Sequence, residues 1–240
     1  EYVMQATKTS LGSDGAVRRV DNRVVTEAEL ERAGISVPGG YEYTSPEAGM
    51  ADYRLYAGKP VVIKPKSTNF GLGITILKHN YDETDFKAAL QIAFEHDNTV
   101  LIEKFIPGRE FRIFIINDEV VGILHRVPAN VTGDGVLNIG QLIDMKNEDP
   151  LRGKGYRTPL EKIRKGREEE MFLKQQGMDF NTVPKEREVV YLRENSNIST
   201  GGDSIDFTDD IDDSYKAIAV EAAKALNVKI TGLDMMIQDI

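Results

Sequence analysis

Residues 59–77 read KPVVIKPKSTNFGLGITIL. An apolar run ends at Lys64, Lys66 follows, and a small polar patch leads to Gly71 and Gly73. A second apolar run then begins at Ile74. The pattern predicts strand, glycine-containing loop, strand. Backbone N–H groups of such a loop can converge on an anion, and glycines at 71 and 73 remove side chains that would block its approach. Lys64, at a strand end, can reach the same anion. A strand follows the glycines, so the loop is neither a Walker loop nor a dinucleotide fingerprint, both of which open a helix. A tight hairpin with solvated lysines is the competing reading at this point.

Working outward, residues 58–106 read as one compact lobe. Strands at 61–64 and 74–77 precede an amphipathic helix, DETDFKAALQIAFEH, with Phe86, Leu90 and Ala93 on one stripe. The strand TVLIEKFI follows. Upstream, residues 1–57 form a helical and linker region. There, TEAELERAGI has capping-box spacing at Thr26 and Glu29 with a stop at Gly34, and SPEAGMADYRLYAG offers Ser45 as a cap and Pro46 at the first position. Residues 107–240 form a larger lobe. REFRIFIINDEVVGILHRVPANV is a hairpin turning at Asn117-Asp118, with Glu119 where glycine is preferred. Its period of two sends Phe111, Ile113 and Ile115 one way and Glu110, Arg112 and Phe114 the other. REVVYLRENSNISTGGDSIDF reads as a strand entering a long polar loop. DDSYKAIAVEAAKALN reads as a helix with Ile218, Ala222, Ala225 and Leu226 inward, and VKITGLDMMIQDI as a final strand. The fold class is therefore α+β.

Composition narrows the chemistry. The 240 residues are 40% hydrophobic and 29% charged, with a formal net charge of −9. That balance argues against nucleic acid held on a basic surface, and no apolar run reaches membrane-spanning length. There is no cysteine, so thiolate nucleophiles, disulfides and Cys-ligated metals are excluded. The three histidines, His79, His96 and His125, are scattered. Glu1 in place of an initiator methionine suggests a segment of a longer protein.

After the loop, LIEKFIPGRE places Glu103 and Ile106 at the end of the small lobe. A break at Pro107-Gly108 follows, then Glu110. Free backbone groups at such a hinge can read an adenine edge, and a carboxylate just beyond can accept from ribose hydroxyls. Asp234 sits mid-strand on the face of Gly232 and Met236, a carboxylate in apolar company for which a metal ion or a salt bridge is the expected partner.

This order of lysine, glycine loop, hinge glutamate, Gly-x-Glu and late carboxylate resembles the ATP-grasp fold, two lobes that hold ATP between a small lid and a larger antiparallel-sheet lobe. VVIKPKSTNFGLGI, RVPANVTGDG, NEDPLRG, LKQQG and VVYLRENSNISTGGDSIDFTDDIDDSYKAIA are similar to the glutathione synthetase half of bacterial bifunctional glutamate–cysteine ligase/glutathione synthetases. Cyanophycin synthetases share a looser form of the NxSTGGxSIDxTD loop. The resemblance covers about Asn22 to Ile240. It implies a cytoplasmic ligase that phosphorylates the carboxylate of γ-glutamylcysteine with ATP and lets the amine of glycine attack the acyl phosphate. It implies a fused glutamate–cysteine ligase domain and a homodimer, with neither nucleic acid nor membrane as partner. Such chemistry needs cations and Mg²⁺ or Mn²⁺ around the phosphoryl group and no protein nucleophile.

Carried over by motif position, Lys64, Ser67, Gly71, Gly73, Glu103, Ile106 and Glu110 are expected around the nucleotide. Arg126, Arg193 and Asn197 are expected at the reacting centre, with Arg112 a weaker candidate, and Asp234 at the metal. Two departures stand out. Arg23 occupies a position that is usually lysine, which keeps charge but changes geometry. A glutamate and an asparagine that complete the metal site are expected just past Ile240, so the fragment alone is expected to turn over poorly. A different class, a non-catalytic nucleotide-binding module of the same fold, remains an alternative, as does a ligase adding arginine or aspartate.

Two charge clusters remain. Arg152 to Arg167 carries seven basic residues against Glu161, either a docking patch for a carboxylate-bearing peptide or a solvated surface. Asp203, Asp206, Asp209, Asp210, Asp212 and Asp213 lack calcium-loop spacing. Capping by Asp212 and loop solvation are expected of them.

Overall fold

The computed structural model describes residues 4–5, 8–9, 23–67, 73–78, 80–155 and 157–238, without the side chains of residues 4–5, 8–9 and 23–25. Contacts group the chain into two units. The first holds residues 1–108, 113–122 and 210–240, and the second 109–112 and 123–209.

In the first unit, β1 (Met4–Gln5) pairs antiparallel with β2 (Lys8–Thr9). Helix α1 (Arg23–Arg32) begins upstream of Thr26, which therefore lies inside the helix and does not cap it. Gly34, at φ +78°, ends the turn that follows. After β3 (Gly40–Tyr43), the Ser45 hydroxyl accepts from Ala48 N–H at 3.2 Å and starts α2 (Pro46–Ala51). The predicted single helix breaks at Asp52 and resumes as α3 (Tyr53–Tyr56). Asp52 does more than interrupt. Its carboxylate accepts from the Tyr43 hydroxyl at 2.9 Å, and Tyr43 and Tyr56 hydroxyls meet at 2.8 Å. Burial, then the hydrogen bonds to Tyr56 and Asp52, push the Tyr43 phenol far above its usual range.

Strands β4 (Val61–Pro65) and β5 (Thr75–Leu77), helix α4 (Glu83–Phe94) and strand β6 (Val100–Lys104) follow as the pattern predicts. The sheet runs β3-β6-β4-β5, antiparallel throughout. Asp82 caps α4 in a reciprocal box with Asp85. The predicted stripe of Phe86, Leu90 and Ala93 is fully buried against Ile63 and Ile102. Burying Phe86 and Leu90 is worth about 1.5–3 kcal/mol each.

The hairpin of β7 (Arg109–Ile116) and β8 (Glu119–Val127) turns with positive φ at both Asn117 (50°) and Asp118 (67°). Asn and Asp tolerate that region, so the turn forms without glycine. Asp118 is tied to Lys229 at 3.0 Å. The predicted alternation holds, with Phe111, Ile113 and Ile115 at zero exposure.

The second unit adds β9 (Asn130–Thr132), α5 (Ile139–Lys146), β10 (Arg152–Gly153), β11 (Leu160–Glu161), α6 (Arg167–Gln175) and β12 (Val189–Tyr191). β12 pairs antiparallel with β9, and β10 pairs parallel with β11. Ala129, Val131, Ile139, Ile143, Leu173 and Leu192 contribute to its core. The segment expected as one polar loop contains a 3₁₀ turn at Ile198–Thr200 and a further strand, β13 (Asp203–Asp206), paired antiparallel with β8.

The chain then returns to the first unit as α7 (Asp213–Ala225) and β14 (Ile230–Ile237), the latter beside β7. Asp212 caps α7 through Ser214 N–H at 2.9 Å, as expected. The buried face of α7 is Ala219, Ala222 and Ala223, followed by Leu226, while Ile218 (37% exposed) and Ala225 face outward. Alanines all round the helix left its periodicity ambiguous. Grouping by contact thus differs from the linear division 1–57, 58–106 and 107–240, because residues 210–240 pack with the first 108.

Candidate functional site

In the first unit, one face of the sheet meets the helices and the other carries charge. The register Val62↔Glu103 and Lys64↔Leu101 sets Lys64 and Glu103 on the face opposite Ile63 and Ile102. Lys64 Nζ donates to Glu103 Oε2 at 2.6 Å, and Glu103 is only 4% exposed. Lys66 pairs with Glu42 of β3 at 2.7 Å nearer the solvent. Gly40 is required here, since a Cβ would lie 2.4 Å from the Ile102 carbonyl oxygen and 2.9 Å from the Glu103 side chain.

The loop itself is partly described. Ser67 N–H donates to Asp97 at 2.6 Å. Desolvation opposes ionisation of Asp97, but the N–H groups of Ser67 and Thr99 outweigh it and hold the carboxyl below its usual range. Gly73 has φ +72°, and a Cβ there would fall 2.7 Å from both His96 and Pro65, so only glycine fits this close approach to the end of β4. Gly71 and the His79 side chain lie outside the described residues, as does the side chain of Arg23. Downstream, Ile106 is half-buried and Gly108, at φ +140°, abuts the Ile237 carbonyl at the end of β14.

Asp234 corrects one expectation. Its face of β14, shared with Gly232 and Met236, is the exposed one, whereas Ile237 on the other face is buried. The apolar neighbours in sequence point away from it. Among the described residues no group of three or more His, Asp or Glu side chains could hold a metal ion. Asp234 by itself is one carboxylate and not a closed ligand set, so no chemical step is derived through a metal ion.

The second unit brings Glu110, Arg126 and Asn197 together. Arg126 Nη1 lies 2.9 Å from Glu110 Oε1, and its Nη2 donates to the Asn197 side-chain oxygen. Ser196, which the sequence reading did not single out, donates its hydroxyl to Glu110 Oε2. Arg126 is 9% exposed and Ser196 6%. The sequence signal for Ser196 was present, since it precedes Asn197 in the same short polar segment. Arg193 sits elsewhere in this unit: its Nε donates to Glu169 at 2.6 Å and its Nη2 pairs with Glu168, both on α6.

Two glycines explain how the 196–203 segment folds so tightly. Gly201 (φ +93°) has Ile163 2.7 Å from its Cβ position, and Gly202 is hemmed by the carbonyls of Val127, Ser196 and Asn197. Asp203, expected as a solvated loop acid, is instead a hub. It accepts from Lys146 Nζ at 2.6 Å, from Asn130 Nδ2 at 2.8 Å and from the buried Arg152. Arg152 also donates to the Gly201 carbonyl at 3.0 Å, so the hub holds the glycine turn down. Arg152 therefore leaves the expected basic surface cluster. Four others of that cluster, Lys154, Lys162, Arg164 and Lys165, border an open groove of about 680 Å³ together with Asp144, Glu148 and Glu161, and Lys165 is tied to Asp144 at 2.6 Å. Carboxylates offset most of its charge.

Comparison with known proteins places this geometry. The family described as D-ala D-ala ligase C-terminus matches residues 42–141. The whole chain is 59% identical to a glutathione biosynthesis bifunctional protein of Desulfotalea psychrophila and 54% identical to one of Clostridium perfringens, and it covers 31% of each. The chain thus spans about a third of the length of these relatives. The crystal structure of a bifunctional glutathione synthetase from Pasteurella multocida superposes on all of it, with a TM-score of 0.68 and 47% identity, this chain covering 32% of that one. A D-alanine–D-alanine ligase from Bacillus anthracis matches 93% of the chain, and 55% of its own length is covered, with a TM-score of 0.53 and 19% identity, a likeness of fold.

Proposed function

We propose that the chain is an ATP-grasp ligase of the glutathione synthetase type, the ATP-dependent segment of an enzyme that joins γ-glutamylcysteine to glycine. The single observation carrying this reading is 59% identity to a bifunctional glutathione biosynthesis protein along every residue of the chain. The family uses ATP, and the chain corresponds to one part of a larger bifunctional protein.

In this reading the substrate carboxylate attacks the γ-phosphorus of ATP, ADP leaves, and the amine of glycine then displaces phosphate from the acyl phosphate. Lys64 contacts the phosphates, with Glu103 orienting its ammonium through the 2.6 Å bond. Ser67 and Gly73 anchor the two ends of the covering loop, Gly71 lies within it, and Ile106 lines the adenine. Glu110 accepts from the ribose. Arg126, oriented by Asn197, faces the anionic reacting centre, where a fixed cation in a partly buried place is worth several-fold more than in water. Asp234 is the carboxylate offered to a divalent cation. No helix in the described residues is long and apolar enough to cross a membrane, and cytoplasmic location and a homodimer are part of the proposal.

The test is coupled ADP release by the full-length protein. γ-Glutamylcysteine plus glycine should release ADP and yield glutathione. Turnover only with arginine or aspartate as acceptor would redirect the specificity, and ATP binding without substrate-dependent ADP would leave a binding module.

A further inference from the structure

We infer that Arg126 sets a preference for nucleoside phosphates over the bare nucleoside by competing for the carboxylate of Glu110, an inference that rests on the ribose role proposed above. Both oxygens of Glu110 are engaged, Oε1 by Arg126 at 2.9 Å and Oε2 by Ser196. A ribose hydroxyl is a neutral donor. The guanidinium is a charged one, and such bonds are roughly twice as strong. A nucleoside that claims Glu110 therefore replaces a strong partner with a weaker one. It also takes the carboxylate from an arginine that is only 9% exposed, which is unfavourable wherever water cannot compensate.

A polyphosphate changes that balance, because it brings its own anion to the displaced guanidinium. The neighbourhood is suited to one. Ser204 lies opposite Arg126 in the β13–β8 register, and its buried hydroxyl has no hydrogen-bond partner among the described residues. An unmet donor beside a guanidinium is a place for a phosphoryl oxygen. Ribose docking and release of Arg126 toward the phosphates are thus one exchange of partners. Glu110 can take part because its side chain is 26% exposed, whereas a fully enclosed carboxylate could not trade partners without desolvation on both sides.

Isothermal titration of the full-length protein with adenosine and with a non-hydrolysable ATP analogue tests this. Adenosine is uncharged, so removing a cation has no direct Coulombic effect on it. Arg126→Met should bind adenosine more tightly, by a factor on the order of ten, and bind the ATP analogue more weakly by a similar factor. Arg126→Lys, which retains charge without the planar fork, should shift both affinities in the same directions by less. Ser204→Ala should weaken the analogue and leave adenosine unchanged. Adenosine affinity that is unchanged or lower in both Arg126 variants, with analogue binding intact in the wild type, overturns this inference alone. No binding of the analogue by the wild type overturns the proposed function and this inference with it.

Discussion

Two arginines in the second unit, Arg126 and Arg193, are buried to nearly the same degree, at 9% and 8% exposure, yet their surroundings differ in kind. Arg193 faces two carboxylates of one helix, and Glu169 beneath it is 1% exposed on its side chain. That pair is closed: neither member can leave without stranding a charge. Arg126 meets the carboxylate of Glu110, which is 26% exposed and so can change partners, and the side-chain amide of Asn197. Burial alone does not separate these two settings. The exchangeability of the partners does.

The contrast can be broken most forcefully at the closed pair. Arg193→Ala should cost about 3–5 kcal/mol of stability, read as a lower urea midpoint, because Glu169 is left buried and unpaired. Arg126→Met should cost clearly less, since Glu110 can turn to water; equal losses would erase the distinction.

Next in size is the first unit's own pair. Lys64→Ala should weaken ATP binding by roughly 10- to 100-fold, the loss of a charge-assisted contact of about 1.5–3 kcal/mol. Lys66→Ala, which breaks only the exposed pair with Glu42, should change it by far less. Calorimetric titration of both variants checks the ranking. Smaller again, Ser45→Ala should remove about 0.5–2 kcal/mol by uncapping α2, seen in thermal melts.

The smallest effect concerns acid. The N–H groups of Leu137 and Val136 lower the Asp134 carboxyl, Thr208 lowers Asp206, and Ser214 lowers Asp212. A depressed folded-state pKa gives stability that is complete above the ordinary carboxylate range and lost as pH falls through the depressed value. Melting temperature should therefore decline on the acid side, and Asp134→Ala should flatten that decline slightly. An unaltered acid slope would remove Asp134 from the account.

Much of the first unit was legible because its signals are local. The stripe of Phe86, Leu90 and Ala93, the caps at Ser45 and Asp212, and the alternation through Phe111, Ile113 and Ile115 depend on neighbours a few residues away. The expectation of apolar company for Asp234 fails for the same reason: its same-face neighbours Gly232 and Met236 are local, but which face of a strand is covered is not a local property, and this face is exposed. Asp203 misled because its partners, Lys146 and Arg152, are more than fifty residues distant in the chain. Gly71 lies outside the described residues, so its expected role rests on the sequence.

The order of residues by itself determined the α+β elements, the family likeness, and the pairing of a strand-end lysine with a glycine loop, because periodicity, capping and turn chemistry act over a few positions. Only the tertiary structure decided that residues 210–240 join the first unit, that Arg193 is enclosed by α6, and that Arg126 shares Glu110 with Ser196. Those outcomes depend on which distant side chains burial forces together, and the free energy of an ion pair depends on how much water reaches it, a quantity that exists only once the chain has folded.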